Sequence, residues 1–537
     1  MKNNKTVKIK IDGVVVEATE GKTVLQTATN VGIEIPHMCF YPGLEPSCSC
    51  MLCVVKDLSS GKIFPSCAMP VSEGMEIVTS SDELRELRRD ILELMLSEHA
   101  GDCEAPCYMA CPARLNIQQL ARLIARENFE EAGRLVTDQL AIPAVVSLLC
   151  HAPCEKVCRR SKIDDSVAIR LLESFAGKYS RVSPSPAEHS QKSVGIIGSG
   201  PTGLCTAFFL RKYGYECVVF EKENKPGGTL RSAVSEGVLP LNILEQEIEK
   251  IRKMGVSFYT DCEIGSKLSL AEIIKKFNAV VIASGVNSVK IDGTAGIETT
   301  PSGIKIDTHT METGIAGVFA GGNAVRKSSM IARAVAHARN IAFSIHCLFS
   351  GKGRPSPENR FCSRIANMSE NELSAMLRTV SSAGRIKPSG GDAGGFTKDE
   401  AVNEAKRCLG CGCEKSDSCL LRHYATEYGA VQYRYKGVER KTFERIRHPL
   451  VVYEPGKCIR CGICVRITRR HQEQYGVTFI GRGFNMKIEP PFNEPVERAL
   501  TATALLCARA CPTGAMAVVE PSRSVDENDL HRKQRKS

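Results

Sequence analysis

Tryptophan is absent from the 537 residues, and aromatic side chains make up only 6%. That leaves little surface on which nucleotide bases could stack. No apolar run approaches the roughly 18 residues that a spanning helix needs, so membrane insertion is not expected. The opening MKNNKTVKIKIDG has basic residues with no apolar stretch behind them, and no secretory signal is visible. No Ser/His/Asp nucleophile arrangement, HExxH or Walker A motif occurs, which excludes the chemistries those motifs carry. Apolar residues at 43% and charged residues at 24% are ordinary for a chain that folds. The length exceeds one core and fits several domains of about 100–200 residues each.

Cysteine is what the sequence has in excess. In a short secreted chain, 25 cysteines would read as a disulfide scaffold. Here most fall in tight groups within a long chain, which suits metal ligation. Residues 5–35 alternate apolar and polar (VKIKIDGVVVEA), turn at Asp12-Gly13 and continue helically through TVLQTATNVG. That strand–turn–strand–helix order is of β-grasp type. It leads into Cys39, Cys50, Cys53 and Cys67, three closely spaced thiols and a distant fourth that can wrap a two-iron core. A zinc ribbon is the alternative. The C-x10-C-x2-C-x13-C spacing, flanked by PHMCFYPGL and PSCAMPV, resembles the N-terminal [2Fe–2S] domain of the large iron–sulfur subunit of NADH dehydrogenases and of related formate dehydrogenases and hydrogenases. Cys48 falls outside the pattern and reads as a bystander.

Two helical stretches follow, DELRELRRDILELMLSEH and IQQLARLIARENFEEAGRLV, with cysteines at 103, 107 and 111 (DCEAPCYMACPA) and at 150, 154 and 158 (CHAPCEKVC). The pattern resembles the N-terminal double-cluster domain of the glutamate synthase small subunit and of dihydropyrimidine dehydrogenase. The resemblance implies interleaved pairing. Cys103, Cys107 and Cys158 hold one [4Fe–4S] cluster, Cys111, Cys150 and Cys154 the other, and each is one thiolate short. It also implies an oxygen ligand on the next helix for the second cluster, where Glu173 stands in AIRLLESFA. For the first, the family's upstream cysteine is missing. His99 stands at H-x3-C, the arrangement of the histidine-ligated cluster in the NADH dehydrogenase subunit, and is expected to replace it. A capping or surface histidine is the other reading.

A polar, proline-bearing linker at 180–192 precedes SVGIIGSGPTGLCTAFFLRKYGYECVVFEKENKPGG. The apolar strand VGIIG feeds Gly198-x-Gly200-x-x-Gly203, an apolar helix follows, and a second strand ends at Glu221. Glycines permit the tight turn and let a pyrophosphate reach the helix N-terminus, while the acid binds a ribose hydroxyl. Ser199, Pro201 and Thr202 share that loop, and Lys222 follows the acid. The GPTGL variant and PGG at 226–228 favour FAD over NAD. The following run, with FNAVVIASGV and GVFAGGNAV, resembles the flavin domain of the same glutamate synthase family. That resemblance implies an FAD site completed by Gly228, Thr229, Ala283, Ser284, Gly285, Gly322 and Asn323. Asn323 stands where the family has an acid, and Gly237-Val238 where it has Phe-Arg. The family inserts a whole NAD(P)H-binding domain between its two flavin segments. Here only residues 286–316 separate them, against roughly 30 residues for one βαβ unit and several units for a domain. No pyridine-nucleotide site of this chain's own is expected.

Residues 349–400, rich in Gly, Ser and Pro, read as a connecting arm with one short helix, ENELSAMLRTV. Cys408, Cys411, Cys413 and Cys419 then form a knot at 401–430 that can enclose an ion or a cubane. The company of other clusters favours [4Fe–4S] over zinc. In bacterial ferredoxins the fourth cysteine of each C-x2-C-x2-C-x3-C motif serves the other cluster. The first motif here keeps Cys458, Cys461 and Cys464 but has Thr468 fourth, and the second has Thr501, Ala504, Cys507 and Cys511. One cubane, on Cys458, Cys461, Cys464 and Cys511, is expected to survive and one to be lost.

The fold expected is multidomain, α+β and α/β. A [2Fe–2S] β-grasp domain at 1–80 precedes a helical double-[4Fe–4S] domain at 81–180. A Rossmann-like FAD domain at 190–348, without an NAD(P)H domain, leads to the arm and the knot. A ferredoxin-like domain at 445–522 and a mobile basic tail at 523–537 end the chain. The implied cofactors are FAD, one [2Fe–2S] and three to four [4Fe–4S] clusters. Each all-thiolate cluster adds about −2, so the formal charge of +11 is offset and no nucleic-acid partner is expected. The function expected is that of a cytoplasmic, anaerobic electron-transfer subunit in a hetero-oligomer. It passes electrons between FAD, the clusters and a partner (a molybdenum or tungsten oxidoreductase, a hydrogenase or an NADH module), with ferredoxin as a further partner. The alternatives are a self-contained NAD(P)H-dependent reductase and a zinc-binding assembly or sensor protein.

Overall fold

The computed structural model describes residues 6–180, 191–286, 296–351, 360–435 and 441–519. Most of the linker at 180–192, the tail at 523–537 and parts of the 286–316 and 349–400 segments lie outside them. The chain divides into two units. One gathers Met1–Glu104, Asn359–Thr379 and Gly412–Ser537, the other Ala105–Glu358 and Val380–Cys411.

The first unit opens on an antiparallel hairpin, Thr6–Ile11 with Val14–Thr19. Alternation buries Val7, Ile9 and Ile11 while their neighbours face water. Strand Glu76–Val78 runs parallel to Thr6–Ile11, and Val54–Asp57 and Ile63–Pro65 complete a five-stranded sheet. Helix Val24–Asn30 starts at a capping box of Thr23 and Gln26. Its Val24 and Leu25 join the sheet in a core that also contains Cys53 and Cys67. Helix Asp82–Ser97 is capped by Ser81 and buries Leu84, Arg88, Leu92 and Leu96. Arg88 donates to the carbonyls of Leu52, Val54 and Thr79, fixing the loop that follows Cys50. Strand Val451–Tyr453 pairs with Ile446–Arg447 and Met516–Val518, and helices Ile463–Arg470 and Ala504–Ala510 pack beside them.

The second unit holds a five-stranded, wholly parallel sheet. Ser193–Ile197 lies at its centre, and helices Pro201–Lys212 and Ile331–Ser350 pack together against it. A layer of short helices contains Ile117–Ala125, Phe129–Leu140, Pro143–Leu149 and Ile169–Gly177. The single helix expected from IQQLARLIARENFEEAGRLV is two, broken where Glu127 takes φ +62°. The break lets Ile117, Leu120 and Ile124 on one side and Val136 and Leu140 on the other each reach the core. Among the described residues, no single helix is long and apolar enough to cross a membrane.

Candidate metal centres and nucleotide site

In the first unit Cys39, Cys50, Cys53 and Cys67 are all at most 1% exposed. Cys39 shares hydrogen bonds with Cys50 and Cys67, and Cys53 with Cys67, so the four sulfurs are neighbours. The hydrogen bond from Cys67 pulls Cys53 down to about 7, against its burial. Cys48, outside the expected pattern, has its sulfur 3.8 Å from that of Cys67. Hydrogen bonds among the sulfurs lower Cys39 and Cys53 and raise Cys50 and Cys67. Four clustered thiols in a dry core suit one cationic group that binds all four as thiolates, their protons leaving to solvent.

Cys458, Cys461, Cys464 and Cys511 line one cavity, together with Cys507 and the apolar walls Tyr453, Ile463, Ile488 and Met516. Burial pushes Cys458 up to about 11 and Cys461 above the ordinary thiol range. Thr468, the missing fourth cysteine of the first motif, donates to Val465 O and accepts from Val477 N. The second motif's loop is gathered by a carboxylate. Glu473 accepts from the amides of Thr501, Ala502 and Thr503 and from the Thr501 and Thr503 hydroxyls. Partial burial opposes its ionisation, but these donors hold it at about 2. One guanidinium joins these two thiol groups, since Arg466 Nη2 donates to Cys39 O at 3.0 Å and to Cys461 O at 3.2 Å.

In the second unit Cys107, Cys158, Cys408 and Cys411 line a cavity walled by Pro106, Ile117, Val167 and Ile169. Burial, then the nearby Cys408, Cys411 and Cys158 thiols, raise Cys107 well above the ordinary range. An ionic network, buried except at Asp164, places the two halves. Arg160 chelates Asp164 and donates to Arg407 O, while Arg407 donates to Glu404 and Asp164. Glu404 in turn accepts from the amides of Ala168 and Ile386. Cys111, Cys150 and Cys154 form a further group around Glu173, whose carboxyl is pushed up to about 8 by burial and then by Glu155.

This grouping differs from the one the resemblance implies. Cys107 and Cys158 meet Cys408 and Cys411 rather than Cys103 and His99. The knot at 408–419 is shared out, with Cys408 and Cys411 in one unit and Cys413 and Cys419 in the other. Cys103 is hydrogen-bonded to Cys362, a residue with no place in any expected set. His99 is buried among charged groups and held neutral, first by burial and then by Lys457 and Lys441. No three His, Cys, Asp or Glu side chains among the described residues converge as a single-ion site requires.

The nucleotide cleft, of about 1140 Å³, opens at the C-terminal ends of the parallel strands. Gly198, Ser199, Gly200, Pro201, Thr202, Glu221, Lys222, Gly228, Thr229, Ala283, Ser284, Gly285, Gly322 and Asn323 all line it. Gly203 instead packs beneath, where a Cβ would strike Gly198 O. Glu221 accepts from Ser199 N at 3.0 Å, from Ser199 Oγ and from Glu223 N. Asn323 Oδ1 accepts from Ser328 N at 2.9 Å. Ser284 Oγ is buried in the lining with no hydrogen-bond partner among the described residues, which fits a polar ligand. The cleft also takes in His337, which no sequence motif marks, and Cys150, expected only as a cluster ligand. His337, kept neutral by burial and then by Arg333, accepts from Gly322 N through Nδ1. Cys150, of the Glu173 group, also faces this cleft.

Three family models match in succession. They are a 2Fe-2S iron-sulfur cluster binding domain over residues 4–82, the 4Fe-4S cluster domain II of dihydropyrimidine dehydrogenase over 93–184, and an NAD(P)-binding Rossmann-like domain over 196–245. The chain is 35% identical over 199 residues to the NADPH-Fe(3+) oxidoreductase subunit beta of Geobacter sulfurreducens, covering 36% of this chain and 30% of that protein. It is 33% identical over 214 residues to the NAD-dependent dihydropyrimidine dehydrogenase subunit PreT of Salmonella typhimurium, covering 38% and 52%. It is 30% identical over 218 residues to the NADP(+)-dependent formate dehydrogenase subunit beta of Moorella thermoacetica, covering 36% and 31%. The chain thus spans between about a third and a half of the length of these relatives. The resemblance to dihydropyrimidine dehydrogenase and formate dehydrogenase iron–sulfur subunits is borne out, as is a mixed α/β chain with iron–sulfur and Rossmann-like domains.

Proposed function

We propose that the protein is an electron-transfer subunit of an oxidoreductase complex, carrying FAD in the cleft and iron–sulfur clusters on its cysteine groups. The observation that carries this reading is Cys150, which belongs to the thiol group around Glu173 and also lines the nucleotide cleft. A cluster held there would lie beside the dinucleotide. FAD exchanges one or two electrons and clusters one at a time. The chain's own residues bind and orient. The Gly198–Gly203 turn offers backbone amides at the start of helix Pro201–Lys212 to a pyrophosphate. Glu221 is placed for a ribose hydroxyl, and Ser284 Oγ supplies an unused polar contact. Arg466, bridging Cys39 O and Cys461 O, supports a reading in which the [2Fe–2S] and ferredoxin-like sites would exchange electrons directly. The β-grasp, helical-cluster, flavin and ferredoxin-like domains of the sequence reading, a cytoplasmic anaerobic setting and a catalytic partner subunit belong to this proposal.

A second reading takes support from the NAD(P)-binding match over residues 196–245. The FAD cleft would then also admit NAD(P)H, the flavin would accept its hydride and pass electrons singly to the clusters, and the chain would be a reductase by itself. Stopped-flow mixing of the anaerobic protein with NADPH separates the two. The relay reading expects released FAD, broad absorption near 400 nm, no rapid bleaching by NADPH and full reduction by dithionite. Rapid bleaching at micromolar nucleotide would promote the reductase. A colourless preparation that holds zinc would overturn both.

A further inference from the structure

Cys362 lies in a segment that reads as a connecting arm, yet the fold clamps it from two sides. On one side Cys103 N donates to Ser363 O at 3.0 Å, and Ser363 N donates to Cys103 Sγ at 3.3 Å. Asp102 accepts from Ile365 N at 2.8 Å. On the other side, helix Leu420–Glu427 grips the segment's backbone: Arg422 Nε donates to Phe361 O at 2.9 Å, and Phe361 N donates to Thr426 Oγ1 at 2.9 Å. Cys419 stands at the N-cap of that helix. Cys413 N donates to Cys103 O at 3.2 Å, which brings the backbone of the fourth cysteine alongside Cys103. The positive charge of Arg422, anchored to Glu104 at 2.7 Å, acts on both Cys103 and Cys362.

We propose that Cys103, Cys362, Cys413 and Cys419 hold a [4Fe–4S] cluster of their own, a centre with four thiolates and no histidine. The proposal rests on the iron–sulfur reading above and adds a site to it. Ligation releases one proton from each thiol to solvent, and a nearby guanidinium favours the thiolates. Four sulfurs leave His99 no coordination position. The site also abuts the ferredoxin-like cavity. A Cβ on Gly514, in the loop after Cys511, would strike Cys413 Sγ. Lys415 Nζ donates to Cys511 O at 2.6 Å and to Ala508 O at 3.1 Å. The proposed cluster is therefore the next stepping stone from the Cys458 site.

The test is iron and sulfide analysis with EPR on the anaerobically purified, full-length protein. With one two-iron and four four-iron centres the wild type approaches about 18 irons per chain. Cys362→Ser is expected to lose about four, Cys107→Ser a different four, and the double variant about eight. Gly514→Ala, which removes no thiol, is expected to lose the same cubane as Cys362→Ser, because a ligated Cys413 sulfur cannot swing aside. Alkylation of the wild-type chain needs no substitution: Cys362 becomes reactive together with Cys103, Cys413 and Cys419 only when iron is stripped. Full iron in Cys362→Ser, loss of the same four irons from Cys103→Ser and Cys107→Ser, or a Cys103–Cys362 disulfide in the iron-loaded chain would each overturn the site while leaving the electron-transfer reading intact. A chain with no iron at all would overturn both.

Discussion

Single residues decide three outcomes. Glu473 has its carboxyl at about 2 against an ordinary 4.5, so its ionised form stabilises the fold above pH 4.5 and that contribution fades as pH falls toward 2. Glu473→Gln keeps the shape but loses the charge-assisted bonds to Thr501 and Thr503. Its stability is expected to be lower at neutral pH and to converge with the wild type near pH 2, as followed by chemical denaturation across pH. At Gly203 the chain crosses beneath the phosphate turn, and Gly203→Ala must push Gly198 O aside. The expected result is purified protein with little FAD and a normal iron count. His99 is buried and neutral beside Lys457 and Lys441. His99→Ala is expected to retain all its iron, and a loss of four would return the histidine to the ligand set.

At the scale of elements, what was legible in the sequence was local. The strand–turn–helix around Gly198 and Glu221, the hairpin at Asp12-Gly13 and the helix at Glu370–Leu377 are each specified within a few residues by glycine spacing, alternation or a capping pair. The break at Glu127 was not legible, because the helical period continues through it and only packing of both helices onto one core requires it. The partnership of thiols was not legible either. Sulfurs 250 residues apart carry no periodic signal, and Cys158 meets Cys408 only because Arg160, Asp164, Glu404 and Arg407 lock their backbones together. That lock makes its own prediction. Arg407→Met leaves the fully buried Glu404 without its cationic partner, while Asp164 keeps Arg160, and the loss should cost about 3–5 kcal/mol. The same variant should lose the iron held by Cys408 and Cys411, read by denaturant melts and metal analysis together.

The whole molecule gathers its cysteines into groups whose members are drawn from very different distances along the chain. Purified with its natural neighbours under anaerobic conditions, it is expected to bring down a catalytic oxidoreductase subunit; recovery of the chain alone, with rapid NADPH turnover, would favour the reductase. The cavity shared by Cys158 and Cys408 has a further consequence, for synthesis. A ribosome adding roughly 5–20 residues per second leaves Cys158 waiting for Cys408 for roughly 12–50 seconds, and Cys107 for roughly 15–60 seconds. The Cys39–Cys67 site, by contrast, is complete once the first domain has emerged. On the proposed ligand sets metal loading is expected to run from the N-terminus: a nascent chain stalled before residue 408 would accept its two-iron centre while Cys107 and Cys158 still lack their partner thiols.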